Sequence, residues 1–215
     1  MMKPFLSLAV GIALLSAGSF GSVVQMTGTP KDVDVAGKIY KVHPTATLNT
    51  LNGPTELKLT GYGVRQKSVA FVKVNVYLAT SYVDLETQIS TNNPIDSMKN
   101  SKGRVIVLDM LRAMSAADIR TAFEEALDVN GVDVNSKAVQ SVFSKFTGDL
   151  REGDRIILAS YPGERAAETL VIELPKTQIQ ETGNFLGLDF WKIWFGEPVD
   201  ALMGELKSRL TGAKK

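Results

Sequence analysis

Val69–Tyr82, VAFVKVNVYLATSY, decides the fold. The stretch is dense in β-branched and aromatic residues, the composition of a pleated, half-buried strand. It is longer than an average strand. It is therefore expected to bend or bulge near its middle, or to turn into a short helix near Ala79. Regular alternation over Val69–Tyr77 puts Phe71, Lys73, Asn75 and Tyr77 on one face, and Val72, Val74 and Val76 on the other. The valine face is assigned to the core. The opposite face carries one charge, one amide and one phenol. It is either solvated or lines a pocket with sparse polar anchors.

Upstream, Ala36–Val42 (AGKIYKV) alternates as a strand and His43-Pro44 breaks it. Thr45–Leu51 reads as a second extended piece, closed by the turn signal Asn52-Gly53-Pro54. Glu56–Gly61 then leads into Gly61-Tyr62-Gly63-Val64-Arg65. Downstream, Ile89–Ser101 is polar around Pro94 and reads as a loop or one short helix. Arg104–Leu111 (RVIVLDML) reads as a strand. Ser115 with Asp118 three residues on is close to a capping box. Ile119, Ala122, Phe123 and Ala126 follow at helical spacing, which predicts a helix from Ala116 to about Val129. Ser136–Phe146 predicts a second helix. Arg155–Tyr161 and Glu168–Leu174 are strands joined through Pro162-Gly163, an antiparallel hairpin. Asn184–Phe195 (NFLGLDFWKIWF) is an aromatic-rich helical segment, assigned to core packing. Gly196-Glu197-Pro198 breaks it, and Val199–Leu210 forms a last amphipathic helix. Strands, then helices, then a hairpin, then helices argue an α+β domain, with an antiparallel sheet packed on one face by helices.

The start of the chain reads as an export signal. Lys3 supplies a charge, Phe5–Leu15 an uncharged apolar run, and Ser16, Ala17, Gly18, Ser19, Gly21 and Ser22 the small residues that follow. The apolar run is about half the roughly 20 residues that a bilayer span needs. Residues 1–21 are expected to be a cleaved signal peptide, residues 22–35 a linker or first short strand, and residues 36–212 one domain. The expected location is periplasmic or secreted, with no stable membrane span after cleavage. The chain contains no cysteine, so stability in an oxidising compartment rests on packing rather than disulfides.

Composition excludes several chemistries. With one histidine and no cysteine, no metal site is expected. His43 reads as a turn residue. The formal net charge of +1 gives no nucleic-acid surface. Gly61-Tyr62-Gly63 lacks the third glycine and the following helix of a nucleotide loop; it reads as a bulge or tight turn. No cofactor is expected. Two arginines stand out. Arg65 follows a glycine pair, and Arg112 sits at the corner where a strand gives way to a helix. Either can point to solvent, or reach into a cleft and grip a carboxylate or phenolate in fork geometry.

Four blocks, in order, carry a resemblance. They are Leu59-Thr60-Gly61-Tyr62-Gly63-Val64-Arg65; Lys73-Val74-Asn75-Val76-Tyr77-Leu78; Arg104–Leu111 running into Arg112 and Ser115; and Phe190–Asp200, with Ile193-Trp194-Phe195-Gly196 before Pro198. Over residues 36–212 the chain resembles the chalcone isomerase-like family, in its bacterial exported branch. The resemblance implies an open-faced β-sandwich: a curved antiparallel sheet covered by a layer of helices, with a ligand cleft between them. In the plant enzymes the arginine matching Arg65 stabilises a phenolate during ring closure. In related plant fatty-acid binders it holds the carboxylate, commonly with a tyrosine in the neighbouring strand. The enzyme's threonine position falls on Val72 or, in a shifted alignment, on Asn75. Its later tyrosine falls near Ala116.

The resemblance therefore favours an exported, non-catalytic protein that binds a fatty acid or similar apolar carboxylate. Arg65, Arg112, Tyr77 and Asn75 are its candidate contacts, and no catalytic residue is assigned. Two other readings stand beside it. One is an envelope interaction module whose cleft is filled by side chains. The other is an isomerase or lyase acting on a phenolic enone.

Overall fold

The computed structural model describes residues 21–163 and 167–213. All but the last residue of the expected signal peptide lies outside them. Strands β1 (Val24–Thr27), β4 (Thr45–Thr50), β5 (Gly53–Val69), β6 (Val72–Asp84), β7 (Arg104–Met110), β8 (Arg155–Pro162), β9 (Ala167–Leu174) and β10 (Thr177–Asn184) form one antiparallel sheet in that spatial order. A hairpin of β2 (Lys31–Val35) and β3 (Lys38–Val42) stands apart from it. The helices are α1 (Pro94–Ser97), α2 (Ala116–Val129), α3 (Lys137–Lys145), α4 (Leu186–Phe195) and α5 (Ala201–Leu210).

The sheet curls, and both of its faces are covered. On the helix side, α2, α3, α4 and α5 bury Ala79, Ile106, Leu108, Leu158 and Ile172 against Phe123, Phe143, Trp191 and Trp194. On the other side, Val24, Leu48 and Leu57 cover Tyr82, Val105, Ala159 and Val171. There Ser22 Oγ and the Val23 amide reach the Glu173 carboxylate of β9 at 2.7 and 2.5 Å. The hairpin β2–β3 packs Val35 and Val42 on Leu78 of that same side. This double cover explains why all seven residues of β7 are buried. It also explains the near-continuous apolar run RVIVLDML, because a strand enclosed on both faces need not alternate.

Val69–Tyr82 is not one bent strand. β5 ends at Val69 and β6 begins at Val72, with Ala70 and Phe71 as a two-residue loop at φ 47° and 67°. Two positive φ values in such a loop match the twist of the flanking strands. Neither residue is the usual asparagine or glycine, and each carries a steric penalty of roughly 1–2 kcal/mol. From Val72 the strand runs unbroken to Asp84, so no helix starts near Ala79. The expected valine core face is also corrected: Val72 lies at the hairpin tip and is 62% exposed. β10, TQIQETGN, is a further strand. It lies at the sheet edge, where polar residues are tolerated.

An ion pair is sealed between sheet and helices. Arg104 is wholly buried and bonds the Glu168 carboxylate. Its remaining bonds go to Ser160 Oγ and the Met98 carbonyl, both at 3.2 Å, and it lies 5.6 Å from the Trp191 ring centroid. The Leu188 amide donates to the second Glu168 oxygen at 2.8 Å, tying α4 to β9. Removing one partner of such a pair leaves a bare buried charge. We expect Glu168→Ala to cost about 3–5 kcal/mol in urea unfolding. A loss below about 1 kcal/mol, the range of a surface pair, would show that the pair does not hold the layers together.

Candidate functional site

The register of β5 on β6 builds the site. Arg65 lies directly opposite Tyr77, and Gln66 opposite Asn75, so Val76 is an extra residue on β6. The carbonyl of Val76 accepts from the Leu111 amide at 3.0 Å. This bulge turns Tyr77 onto the helix side, the face shared by Lys67 and Arg65. Asn75 stays on the far side, where its Oδ1 accepts from the Gln66 amide at 2.9 Å. Regular alternation would have kept Asn75 and Tyr77 together; the bulge separates them.

A second bulge, at Thr60, precedes Gly61 and Gly63. These glycines face α5. A Cβ on Gly61 would lie 2.0 Å from the Arg209 carbonyl oxygen, and one on Gly63 2.8 Å from Arg209 Cδ. Their role is the close approach of α5 to β5, not a phosphate cradle.

Between the sheet, α2 and the α4–α5 corner lies a cavity of about 470 Å³. Its interior is apolar, with Val76, Leu108, Met110, Ile119, Phe123, Ile193 and Met203 among the residues that line it. Arg65, Tyr77 and Asp200 also line the interior. Lys67, Val69, Arg112, Asp118 and Glu125 line the solvent-exposed mouth. Arg65, Tyr77 and Arg112 thus meet around one space, and Asn75 lies outside it. Val72 is also absent from the lining. The hydroxyl that faces Arg65 across the ladder belongs to Tyr77, not to position 72 or 75.

Arg65 is buried, and its fork is occupied. Nη1 and Nη2 bond the two oxygens of Asp200 at 2.8 and 2.6 Å, and Nη1 also bonds the Gln66 carbonyl at 2.6 Å. Three of the five guanidinium N–H donors are therefore used. Asp200 also caps α5, accepting from the Met203 amide at 2.7 Å. The hydrogen bonds from Arg65 hold the Asp200 carboxyl below its ordinary range, against the opposing effect of burial. Tyr77 accepts from Trp194 Nε1 at 3.0 Å. Burial pushes its phenol up to about 12, against the nearby Arg65 charge. At neutral pH Tyr77 is therefore a protonated donor. Its O–H has no acceptor among the described residues. Arg112 and Lys67 make no ion pair among the described residues. Trp194 and Asp200 fall within the last resemblance block but were assigned no role in the site, and Lys67 was not singled out in the sequence. Asp200 did carry a signal, since aspartate just before a helix is a common cap.

The sequence model of the family described as chalcone isomerase-like matches residues 36–212. The chain belongs to the chalcone isomerase-like family. A solved fatty-acid binding protein of Arabidopsis thaliana shares its fold, with a TM-score of 0.58 at 16% identity. The similarity covers 85% of this chain and 97% of that one. A search of curated proteins finds no match. The curled antiparallel sheet with its layer of helices is the fold the two proteins share. His43 is remote from this cavity, at a turn, with its ring nitrogen 3.2 Å from the Gly28 carbonyl oxygen. Among the described residues no group of three or more His, Cys, Asp or Glu could hold a metal, and no helix is long and apolar enough to cross a membrane.

The Arg65–Asp200 pair makes a pH-dependent contribution with a defined sign. The Asp200 carboxyl titrates lower when folded, so its contribution is present above its unfolded value and is lost as pH falls through the folded one. Asp200→Asn keeps the helix cap but removes the charge. We expect the variant to melt below the parent at pH 7, with the gap closing as the pH drops beneath the ordinary value of 3.8. A gap that stays constant with pH would show that the pair contributes nothing.

Proposed function

We propose that this is an exported, non-catalytic binding protein for a fatty acid or similar apolar anion. The observation that carries this reading is the cavity itself. Its volume of about 470 Å³ falls in the range of small-molecule sites. An apolar interior with few polar anchors suits an alkyl chain, and a cation at the mouth suits a carboxylate. A module with a side-chain-filled cleft has no use for such a space.

Three groups can meet the ligand head. Arg112 at the mouth has no carboxylate partner among the described residues. Tyr77 offers a neutral O–H. Arg65 retains two unused N–H donors beyond its bonds to Asp200 and Gln66. The similar fold of the Arabidopsis fatty-acid binding protein supports this use of the cleft. Export rests on the charge, apolar run and small residues of positions 1–21.

The side chains around Arg65 favour holding over turnover. Tyr77, with its phenol held up near 12, is not a base at neutral pH. Asp200, held as a carboxylate by Arg65, is a weak one.

Titration of the purified protein with palmitate and with hexadecanol tests the reading. We expect palmitate to bind more tightly. Charge-assisted hydrogen bonds contribute about 1.5–3 kcal/mol. Arg112→Ala should thus weaken palmitate roughly tenfold or more and leave hexadecanol nearly unchanged. Arg65→Ala combined with Asp200→Asn, which leaves no bare charge, should do the same if Arg65 shares the head. Equal affinity for the two ligands, or no binding of either, would sink the proposal.

A further inference from the structure

The loop between β5 and β6 has features that the cavity does not account for. At its tip Phe71 is fully exposed, at 103%, with Val72 at 62% and Val69 at 51% beside it. Single exposed apolar residues are ordinary. Three around one two-residue turn form a contiguous apolar point. The turn also holds alanine and phenylalanine at positive φ, a conformation that glycine would adopt without strain. An exposed side chain kept in a strained position calls for a use.

The charge carried by the two strands of this hairpin has one sign. Between Leu57 and Val83 the chain carries Lys58, Arg65, Lys67 and Lys73, and no aspartate or glutamate. Lys67 and Lys73 flank the tip closely. Lys67 lies on the cavity face, Lys73 on the opposite face paired with Ser68, and neither makes an ion pair among the described residues. Val69 and Lys67 also line the cavity mouth. An apolar tip with cations on both sides complements the headgroup region of an anionic bilayer. Apolar side chains enter the acyl boundary while lysines stay among the headgroups.

We propose that this hairpin is a membrane-docking element. It seats Phe71, Val69 and Val72 in an anionic lipid surface. Docking stands on the tip alone. Its further use, bringing the cavity mouth to the bilayer so that an apolar anion passes between lipid and cavity without crossing water, rests on the reading of the cavity given above.

Co-sedimentation with phosphatidylcholine vesicles, plain or containing about one third phosphatidylglycerol, tests the docking. The protein should pellet with the anionic vesicles, less so as salt is added. Phe71→Gly removes the inserted ring and relieves the positive φ, so its thermal midpoint should not fall, while vesicle affinity drops about tenfold or more. Lys73→Glu, on the face away from the cavity, should weaken binding to the anionic vesicles alone. Failure of the parent protein to pellet, or pelleting unchanged by Phe71→Gly, overturns the proposal. So does a dimer in vesicle-free solution that Phe71→Gly dissolves, since the tip then serves a second copy of the chain. Palmitate affinity in vesicle-free solution should be the same for the parent and Phe71→Gly. If palmitate fails to bind either, the cavity reading falls and docking is judged on the vesicles alone.

Discussion

The pairing of β5 with β6 sets the direction of Arg65 and Tyr77, the polar groups that the sheet sends into the cavity interior. Strand side chains alternate with a period of two, so one added residue exchanges the faces of everything beyond it. Val76 is such a residue. Before it, Val74 shares a face with Lys67; after it, Tyr77, Ala79 and Val83 take that face. Without the added residue, the phenol of Tyr77 would turn toward the β2–β3 hairpin, and Val76 would stand opposite Arg65. The meeting of guanidinium and phenol is a consequence of register. Trp194 of α4 then fixes the phenol, and Asp200 fixes the guanidinium while capping α5. Sheet register and helix placement are thus locked to each other through the site.

The two buried arginines show how enclosure separates a structural charge from an available one. Arg104 and Glu168 are sealed, and their bonds go to each other, to a hydroxyl and to backbone groups. Exchanging either partner for a ligand would mean opening the core. The Arg65–Asp200 pair has the same fork chemistry at a cavity wall. There the Asp200 side chain is 38% exposed, and water can solvate its carboxylate as a ligand moves. The desolvation penalty that makes a sealed pair hard to rearrange is therefore smaller here. Both pairs hold the layers, but only the second leaves guanidinium donors beside open space.

Secondary structure was legible where periodicity was strong. The helix 116–129 and its Ser115 cap followed from a hydroxyl, an acid three residues on and an apolar stripe. The cap is present, with the Ser115 oxygen accepting from the Asp118 amide. The aromatic block 184–195 was legible as core because five large rings in twelve positions have few other uses; four of them are buried, but Phe185 sits at the N-cap and is exposed, and the helix begins only at Leu186. The α+β class and the antiparallel sheet followed from the order of such segments. The turn at Ala70-Phe71 was not legible, because its residues are poor turn formers and the valines on either side continue the strand pattern. A bulge near the middle of Val69–Tyr82 was expected from its length, and Val76 provides it, but its exact position was hidden for a similar reason. A valine is as good a strand residue paired as unpaired, so composition leaves no trace of the slip. β10 was missed because an edge strand wetted along one side needs no apolar alternation. Arg65, Tyr77 and Arg112 were named from the chain and share one cavity. Their partners were named only as part of a resemblance block and a core helix, not as site residues: Asp200 lies 135 positions from Arg65 and Trp194 lies 117 from Tyr77, and local pattern carries no information at that range.

The charges of the cavity are sorted by depth, and the sorting bears on how an anion would be held. Moving a carboxylate out of water costs several kcal/mol unless the site returns equivalent bonds. Deep in the cavity, Arg65 is already neutralised by Asp200, so its net field on a second anion is weak. Its two spare donors and the Tyr77 hydroxyl can bond, but they add little long-range attraction. At the mouth, Lys67 and Arg112 are exposed and have no carboxylate partner among the described residues. Asp118 and Glu125 share that rim on the helix side, so the favourable field lies toward the sheet and the strand-to-helix corner. A head group resting near Arg112, with its tail along Leu108, Ile119 and Phe123, gains a charge partner without being stripped of water. A head driven inward exchanges that gain for hydrogen bonds to groups that are rigid and already aligned. Preorganisation lowers the entropic cost of the inward pose, whereas hydration favours the outer one. Asp200 tips this balance, because its own charge opposes a second carboxylate beside Arg65. The arrangement therefore favours a carboxylate at the rim and leaves the apolar interior to the chain it carries.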